Sequence, residues 1–180
     1  MDNLKEEIVS KERKFDGVVI DVEHWQVRLP DGSLGLREVA LHKGAAAVVP
    51  VDEQGRVPMV RQFRAPIGRV TLEIPAGRLE PGEEPRAAAA RELAEETSLV
   101  ASDLRHLVRV YGSPGFTDEK TDVFLATGLA QGPACPDEGE FLRVAWLPAT
   151  DVVRAVLAGA IQDSKTVCGV LAARAAGVLE

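Results

Sequence analysis

The chain has 180 residues, enough for one domain with a small appendage, and its 46% hydrophobic and 27% charged residues are ordinary globular values. A formal net charge of −7 excludes a general nucleic-acid binder, which needs clustered Lys and Arg; it leaves open a small anionic substrate, since a divalent cation can reverse the local field. Met1–Lys14 lacks the apolar core of a signal peptide, no run of about 18 apolar residues suggests a membrane span, and Cys135 and Cys168 form no C-x-x-C pair, so the expectation is a cytoplasmic protein with free thiols and no zinc.

Residues 1–14 read as a polar arm. Gly17–Val22 and Trp25–Leu29 predict strands, Pro30-Asp31-Gly32-Ser33 a turn, and Leu36–Leu41 a returning strand. The arm and this small antiparallel sheet make a first domain at 1–41, followed by a second at 42–180. Ala45–Val51 is a short apolar run, expected as a buried strand. Asp52-Glu53-Gln54-Gly55 is a turn, so Val57–Phe63 is expected to pair back on that strand as a hairpin. Val70–Ile74 is a further strand, stopped by Pro75. Pro85–Thr97 is the clearest helix: Pro85 suits a first helical position, and Ala87–Ala90 and Leu93 favour helix intrinsically. Leu104–Tyr111, Val123–Ala126 and Arg143–Leu147 predict strands, and Ala149–Ala158 and Lys165–Ala176 helices. The order implies an α+β fold, an α/β/α sandwich around a mixed sheet with the small N-terminal antiparallel sheet added.

The stretch from Gly77 to Leu99 reads GRLEPGEEPRAAAARELAEETSL. Glu92, Glu95 and Glu96 stand at i, i+3 and i+4, so three carboxylates project from one side of the helix. Like charges at that spacing destabilise a bare helix, and a hard divalent cation with oxygen ligands would offset the repulsion. An isolated R-E-x-x-E-E run ordinarily faces solvent. Here a Gly-rich turn (Gly77, Pro81-Gly82) precedes the helix with Glu83 at its entrance, and such a turn lets backbone groups approach a phosphate or metal.

These residues resemble the signature of the Nudix hydrolase family, G-x(5)-E-x(7)-R-E-U-x-E-E-x-G-U, where U is a bulky aliphatic residue. Gly77, Glu83, Arg91, Glu92, Leu93, Glu95, Glu96 and Leu99 fall in register. Ser98 departs from the pattern, standing where the family has Gly, at a helix exit where left-handed backbone costs a serine about 1 kcal/mol or more. Outside the signature, Arg37-Glu38, Arg61-Gln62-Phe63-Arg64, Glu73-Ile74-Pro75-Ala76-Gly77 and Pro114 (sixteen residues after Ser98) are similar to the ADP-ribose pyrophosphatase branch, and the resemblance spans about residues 36 to 170.

The resemblance implies an enzyme that uses Mg²⁺, with Mn²⁺ able to substitute, to cut ADP-ribose into AMP and ribose 5-phosphate. It implies Glu92 and Glu96 as the main metal ligands with the backbone carbonyl of Ala76, and Glu95 as a ligand or the orienting group of a second ion or its water. Glu83 would support the cluster, and Arg91 would pair with the carboxylates to hold them. The base is expected in Phe116-Thr117-Asp118-Glu119-Lys120, with Glu119 preferred over Asp118. Arg61 and Arg64 suit a diphosphate, since guanidinium matches phosphate oxygens; three apart in a strand they face opposite ways, which favours Arg64. Arg37 with Phe15 or Trp25 would grip the adenine. A homodimer joined through the N-terminal sheet is expected, with neither nucleic acid nor membrane as a partner. The alternatives are a hydrolase of another nucleoside-diphosphate sugar, a dinucleotide or a nucleoside triphosphate, and a Nudix-like ligand sensor without turnover; the intact R-E-x-x-E-E speaks against the sensor.

Overall fold

The computed structural model describes residues 4–133 and 141–179, so Cys135 lies outside the described residues. The chain divides into two units, 1–44 with 111–120, and 45–110 with 121–180.

The first unit is an antiparallel sheet of β1 (Glu7–Asp16), β2 (Asp21–Arg28) and β3 (Leu34–Leu41), in that order. The polar arm is corrected: from Glu7 onward it is strand. Every side chain of β1 is exposed, so backbone pairing with β2 forms it, and the sequence carries no buried alternation to announce it. The strand expected at Gly17–Val22 is also corrected. Residues 17–20 form the turn between β1 and β2, closed by the Gly17 N–H donating to the Asp21 carboxylate at 3.2 Å. The loop from 111 to 120 belongs to this unit. Ala40 N–H donates to the Phe116 carbonyl (2.8 Å) and His42 N–H to the Asp118 carboxylate (2.8 Å).

The second unit holds β4 (Ala45–Pro50), β5 (Arg56–Arg64), β6 (Arg69–Glu73), β7 (Ala76–Arg78), α1 (Pro85–Thr97), β8 (Leu99–Tyr111), β9 (Lys120–Gln131), β10 (Leu142–Pro148), α2 (Ala149–Leu157) and α3 (Ser164–Ala175). The order β7-β4-β9-β8 makes a mixed sheet: β4 runs parallel to β9 and antiparallel to β7. A second, antiparallel sheet has the order β10-β5-β6. The expected hairpin between Ala45–Val51 and Val57–Phe63 is therefore corrected, because β5 pairs with β6 and β10. Turn residues bring two strands close in sequence, but tertiary packing chooses their partners.

Strand β4 explains the layering. Ala46 and Val48 pack with Ala88, Ala89 and Leu93 of α1, while Ala47 and Val49 face the core built with Met59, Val152 and Val170. Both faces are covered, which is why the strand reads as a continuous apolar run. Each fully buried Val, Leu or Met there contributes about 1.5–3 kcal/mol. The small side chains of Ala88 and Ala89 let α1 lie close on the sheet and bring its next turns against β7. Among the described residues no helix is long and apolar enough to cross a membrane.

Candidate active site

Helix α1 begins with Pro85 and ends at Ser98, which holds a left-handed conformation (φ 57°, ψ 30°) and donates its N–H to Ala94. Its buried stripe is Ala88, Ala89, Glu92, Leu93 and Glu96. Two carboxylates thus share the face that meets the sheet, and each has a specific reason to be tolerated there. The Glu96 carboxylate accepts the Ala76 N–H at 2.9 Å. The Glu92 carboxylate lies against Gly77, where a β-carbon would fall 1.9 Å from its Oε1.

Arg91 ties the cluster together. Its Nε and Nη2 form a fork on Glu83 (2.9 and 3.0 Å), its Nη1 reaches Glu92 and Glu95 (2.7 Å each), and Nη2 also meets the Arg78 carbonyl at 3.1 Å. The Arg91 guanidinium holds the Glu83 carboxyl below its ordinary value, and the Glu83 fork in turn raises the pKa of Arg91. Glu83, Glu92 and Glu95 thus share one guanidinium, and Glu96 stands one turn on from Glu92 along the same helix.

Arg64, at the end of β5, forks on Glu73 with Nε–Oε1 of 2.9 Å and Nη2–Oε2 of 2.7 Å. Glu73 is buried and also accepts from the Lys165 ammonium and from Thr71 Oγ1 (2.5 Å). Burial pushes its carboxyl up, but the Arg64 hydrogen bonds and the Lys165 charge outweigh that and bring it down to about 2. The Glu73 hydrogen bonds raise the pKa of Arg64, and Asp163 and Glu96 add to the effect, so Arg64 feels the acidic face of α1. Arg61 has a different setting. It lines a cavity of about 370 Å³ with Arg69, Leu72, Ile161 and Asp163, of which Arg64 is not a part.

In the first unit Trp25 and Arg37 are cross-strand neighbours on β2 and β3, and both line a cavity of about 540 Å³. Phe15 is exposed and does not line it. Asp118 lies on the wall of that cavity and accepts the His42 N–H. The half-buried Glu119 has its carboxylate beside Gly112, and among the described residues no hydrogen bond or ion pair engages that carboxylate.

Residues 41–168 match the model of the NUDIX domain family. The chain belongs to the Nudix hydrolase family. It is 43% identical to an ADP-ribose pyrophosphatase of Bacillus subtilis (strain 168) over 92% of this chain and 91% of that protein. It is 42% identical to an ADP-ribose pyrophosphatase of Mycobacterium tuberculosis (strain ATCC 25618 / H37Rv) over 94% of this chain and 83% of that protein. A crystal structure of an ADP compounds hydrolase has the same fold, with a TM-score of 0.83 at 22% identity over 95% of this chain and 93% of its own.

Nudix hydrolases generally use divalent metals such as Mg²⁺. The donor chemistry of this Nudix box fits such an ion: its carboxylates are hard oxygen donors, two are buried, and Arg91 leaves them short of positive charge. Among the described residues no three acidic, His or Cys side chains already converge on one point, because Arg91 engages Glu92 and Glu95 while Glu96 turns to Ala76.

Sequence reasoning missed several polar groups around the Nudix box and elsewhere. Glu73 was read only as part of a motif, although a charged residue closing the apolar strand before Pro75 is a signal for a buried ion pair. Lys165, 92 residues away from Glu73, gave none. Asp122, buried on β9 and held by Arg109 (Nη2–Oδ2 3.0 Å) and His106 (2.8 Å), lies just outside the strand expected at Val123–Ala126.

Proposed function

We propose that the chain hydrolyses the diphosphate linkage of ADP-ribose, giving AMP and ribose 5-phosphate, with Mg²⁺. The observation that carries this reading is the similarity to two ADP-ribose pyrophosphatases over nearly the whole chain, including the first unit and not only the box. Glu92, Glu95 and Glu96 with the carbonyl of Ala76 would hold the metal, which supplies charge neutralisation to the diphosphate and acidity to a water. Arg91 and Glu83 keep the carboxylates apart and oriented. Arg64 is pre-oriented by its fork on Glu73 and offers its remaining Nη1 to a phosphate oxygen. Glu119 would accept the proton of the attacking water, a role suited to a carboxylate that no hydrogen bond or ion pair engages among the described residues, whereas Asp118 already serves the His42 N–H. Trp25 and Arg37 would take the adenine.

The reading includes a homodimer in which the first unit contacts the partner. Leu34 and Leu36 on that small sheet, and Val18 and Val19 in its β1–β2 turn, are exposed apolar side chains that need a surface to cover them. Light scattering at micromolar concentration should read a dimer, and a monomer contradicts that part. The activity itself is tested by a panel of nucleoside-diphosphate sugars, dinucleotides and nucleoside triphosphates with Mg²⁺, with products identified by mass. AMP and ribose 5-phosphate from ADP-ribose are expected; no cleavage of ADP-ribose overturns the reading.

A further inference from the structure

The cavity of the first unit has an unusual balance of groups. Its walls include Ile8, Trp25, Val27, Val39 and Phe116, which suit a flat apolar body. Its charged groups are Glu6, Asp118 and Arg37, and the guanidinium is turned to Glu6: Arg37 Nε donates to Glu6 Oε2 at 3.1 Å, Nη2 donates to Glu6 Oε1, and Nη1 donates to the Leu36 carbonyl at 3.1 Å. Two carboxylates against one guanidinium that is already paired with one of them disfavour the charged part of a nucleotide, and the apolar walls favour its base.

We infer that Glu6, held by Arg37 at this cavity, is a specificity-determining residue that selects a base bearing an exocyclic amine. The inference rests on the ADP-ribose reading and adds to it the group that distinguishes adenine. An ionised carboxylate only accepts hydrogen bonds, and its two oxygens offer about four acceptor sites. The Arg37 fork uses one site on each oxygen and fixes the plane of the carboxylate. The sites left over can accept the amine of adenine. A base with a carbonyl at that place brings an acceptor against an acceptor, which a site of this kind rejects. Arg37 acts here through Glu6, as its positioning residue. Trp25 is also fixed: its Nε1–H donates to Glu23 at 2.7 Å and the Lys11 ammonium lies 4.0 Å from its ring centroid, so the wall that a base would meet is preset.

The test compares ADP-ribose with inosine diphosphate ribose, which differs by carrying a carbonyl in place of the amine. For the unaltered protein with Mg²⁺, kcat/KM should favour ADP-ribose on the order of tenfold or more. In Glu6→Gln, whose amide both donates and accepts, that ratio should fall toward one, mainly through a higher KM for ADP-ribose. Competition by AMP and IMP gives a second readout, and AMP should lose its advantage over IMP as an inhibitor in the same variant. Glu6→Asp, which keeps the carboxylate, should retain the preference for the amine. Hydrolysis of ADP-ribose with an unchanged ratio in Glu6→Gln overturns the inference and leaves the proposed function standing. Absence of ADP-ribose hydrolysis by the unaltered protein overturns both.

Discussion

The carboxylate of Glu92 occupies the space in which residue 77 would carry a side chain: a β-carbon there would lie 1.9 Å from Glu92 Oε1 and 2.2 Å from its carboxyl carbon. Gly77 has no left-handed backbone conformation to require glycine, so the constraint is the approach of a functional group. The obstacle is also the far end of a flexible side chain. Gly77→Ala is therefore expected to move Glu92 more than it harms the fold. Melting should shift by only a few degrees while kcat falls roughly tenfold or more. Normal turnover would show that the position of the Glu92 carboxylate is immaterial.

Glu96→Gln separates charge from shape at the next turn of α1. The amide oxygen of Gln can still accept the Ala76 N–H, so the helix should keep its seat on β7. What disappears is one negative charge from the proposed metal site. Turnover at saturating Mg²⁺ is expected to fall about 100-fold or more. A variant that turns over near the normal rate would remove Glu96 from the ligand set.

Ser98 stands at φ 57°, and among the described residues every other positive φ belongs to glycine. Its carbonyl is also braced, accepting from the Gly132 N–H (2.8 Å) and Gln131 Nε2 (2.9 Å), so the strained geometry is built into the exit of α1. Ser98→Gly should stabilise the protein by about 1 kcal/mol, read by denaturant unfolding, with activity kept. A loss of stability would mean that the serine side chain contributes something the backbone geometry does not require.

Helix α1 was legible because its signals are local: Pro85 fixes the start, and Ala87–Ala90 with Leu93 favour helix intrinsically. The spacing of Glu92, Glu95 and Glu96 around Arg91 is likewise a property of one short stretch. Strand β1 was not legible, since it buries nothing and owes its form to pairing with β2. The partner of β5 was misread for a related reason, because adjacency through a turn did not decide between β4 and β6. Around the candidate site, the contacts of Arg64 with Glu73 and of Glu73 with Lys165 join β5, β6 and α3. No local pattern contains that information.

Glu73 also gives the protein a defined sensitivity to acid. Its carboxyl is pulled from the ordinary 4.5 down to about 2 in the folded chain, so the unfolded state takes up a proton first as pH falls. The stabilisation is complete above pH 4.5 and is lost as pH falls toward 2, amounting to about 3 kcal/mol in all. Unfolding curves at pH 4.5, 3.5 and 2.5 should show this loss in the unaltered protein. Glu73→Gln should be less stable at neutral pH and should lack this share of the acid dependence. Parallel curves for the two proteins would show that Glu73 titrates normally.

The central claim is that the groups outside the Nudix box adapt a common metal chemistry to ADP-ribose. It is tested most directly by kcat/KM with Mg²⁺ for ADP-ribose, ATP and 8-oxo-dGTP under identical conditions. The account predicts the highest value for ADP-ribose, with AMP and ribose 5-phosphate as products, because Arg64 would meet a bridging diphosphate and the cavity lined by Trp25 and Arg37 would take the base. An equal or higher kcat/KM for either triphosphate would contradict it.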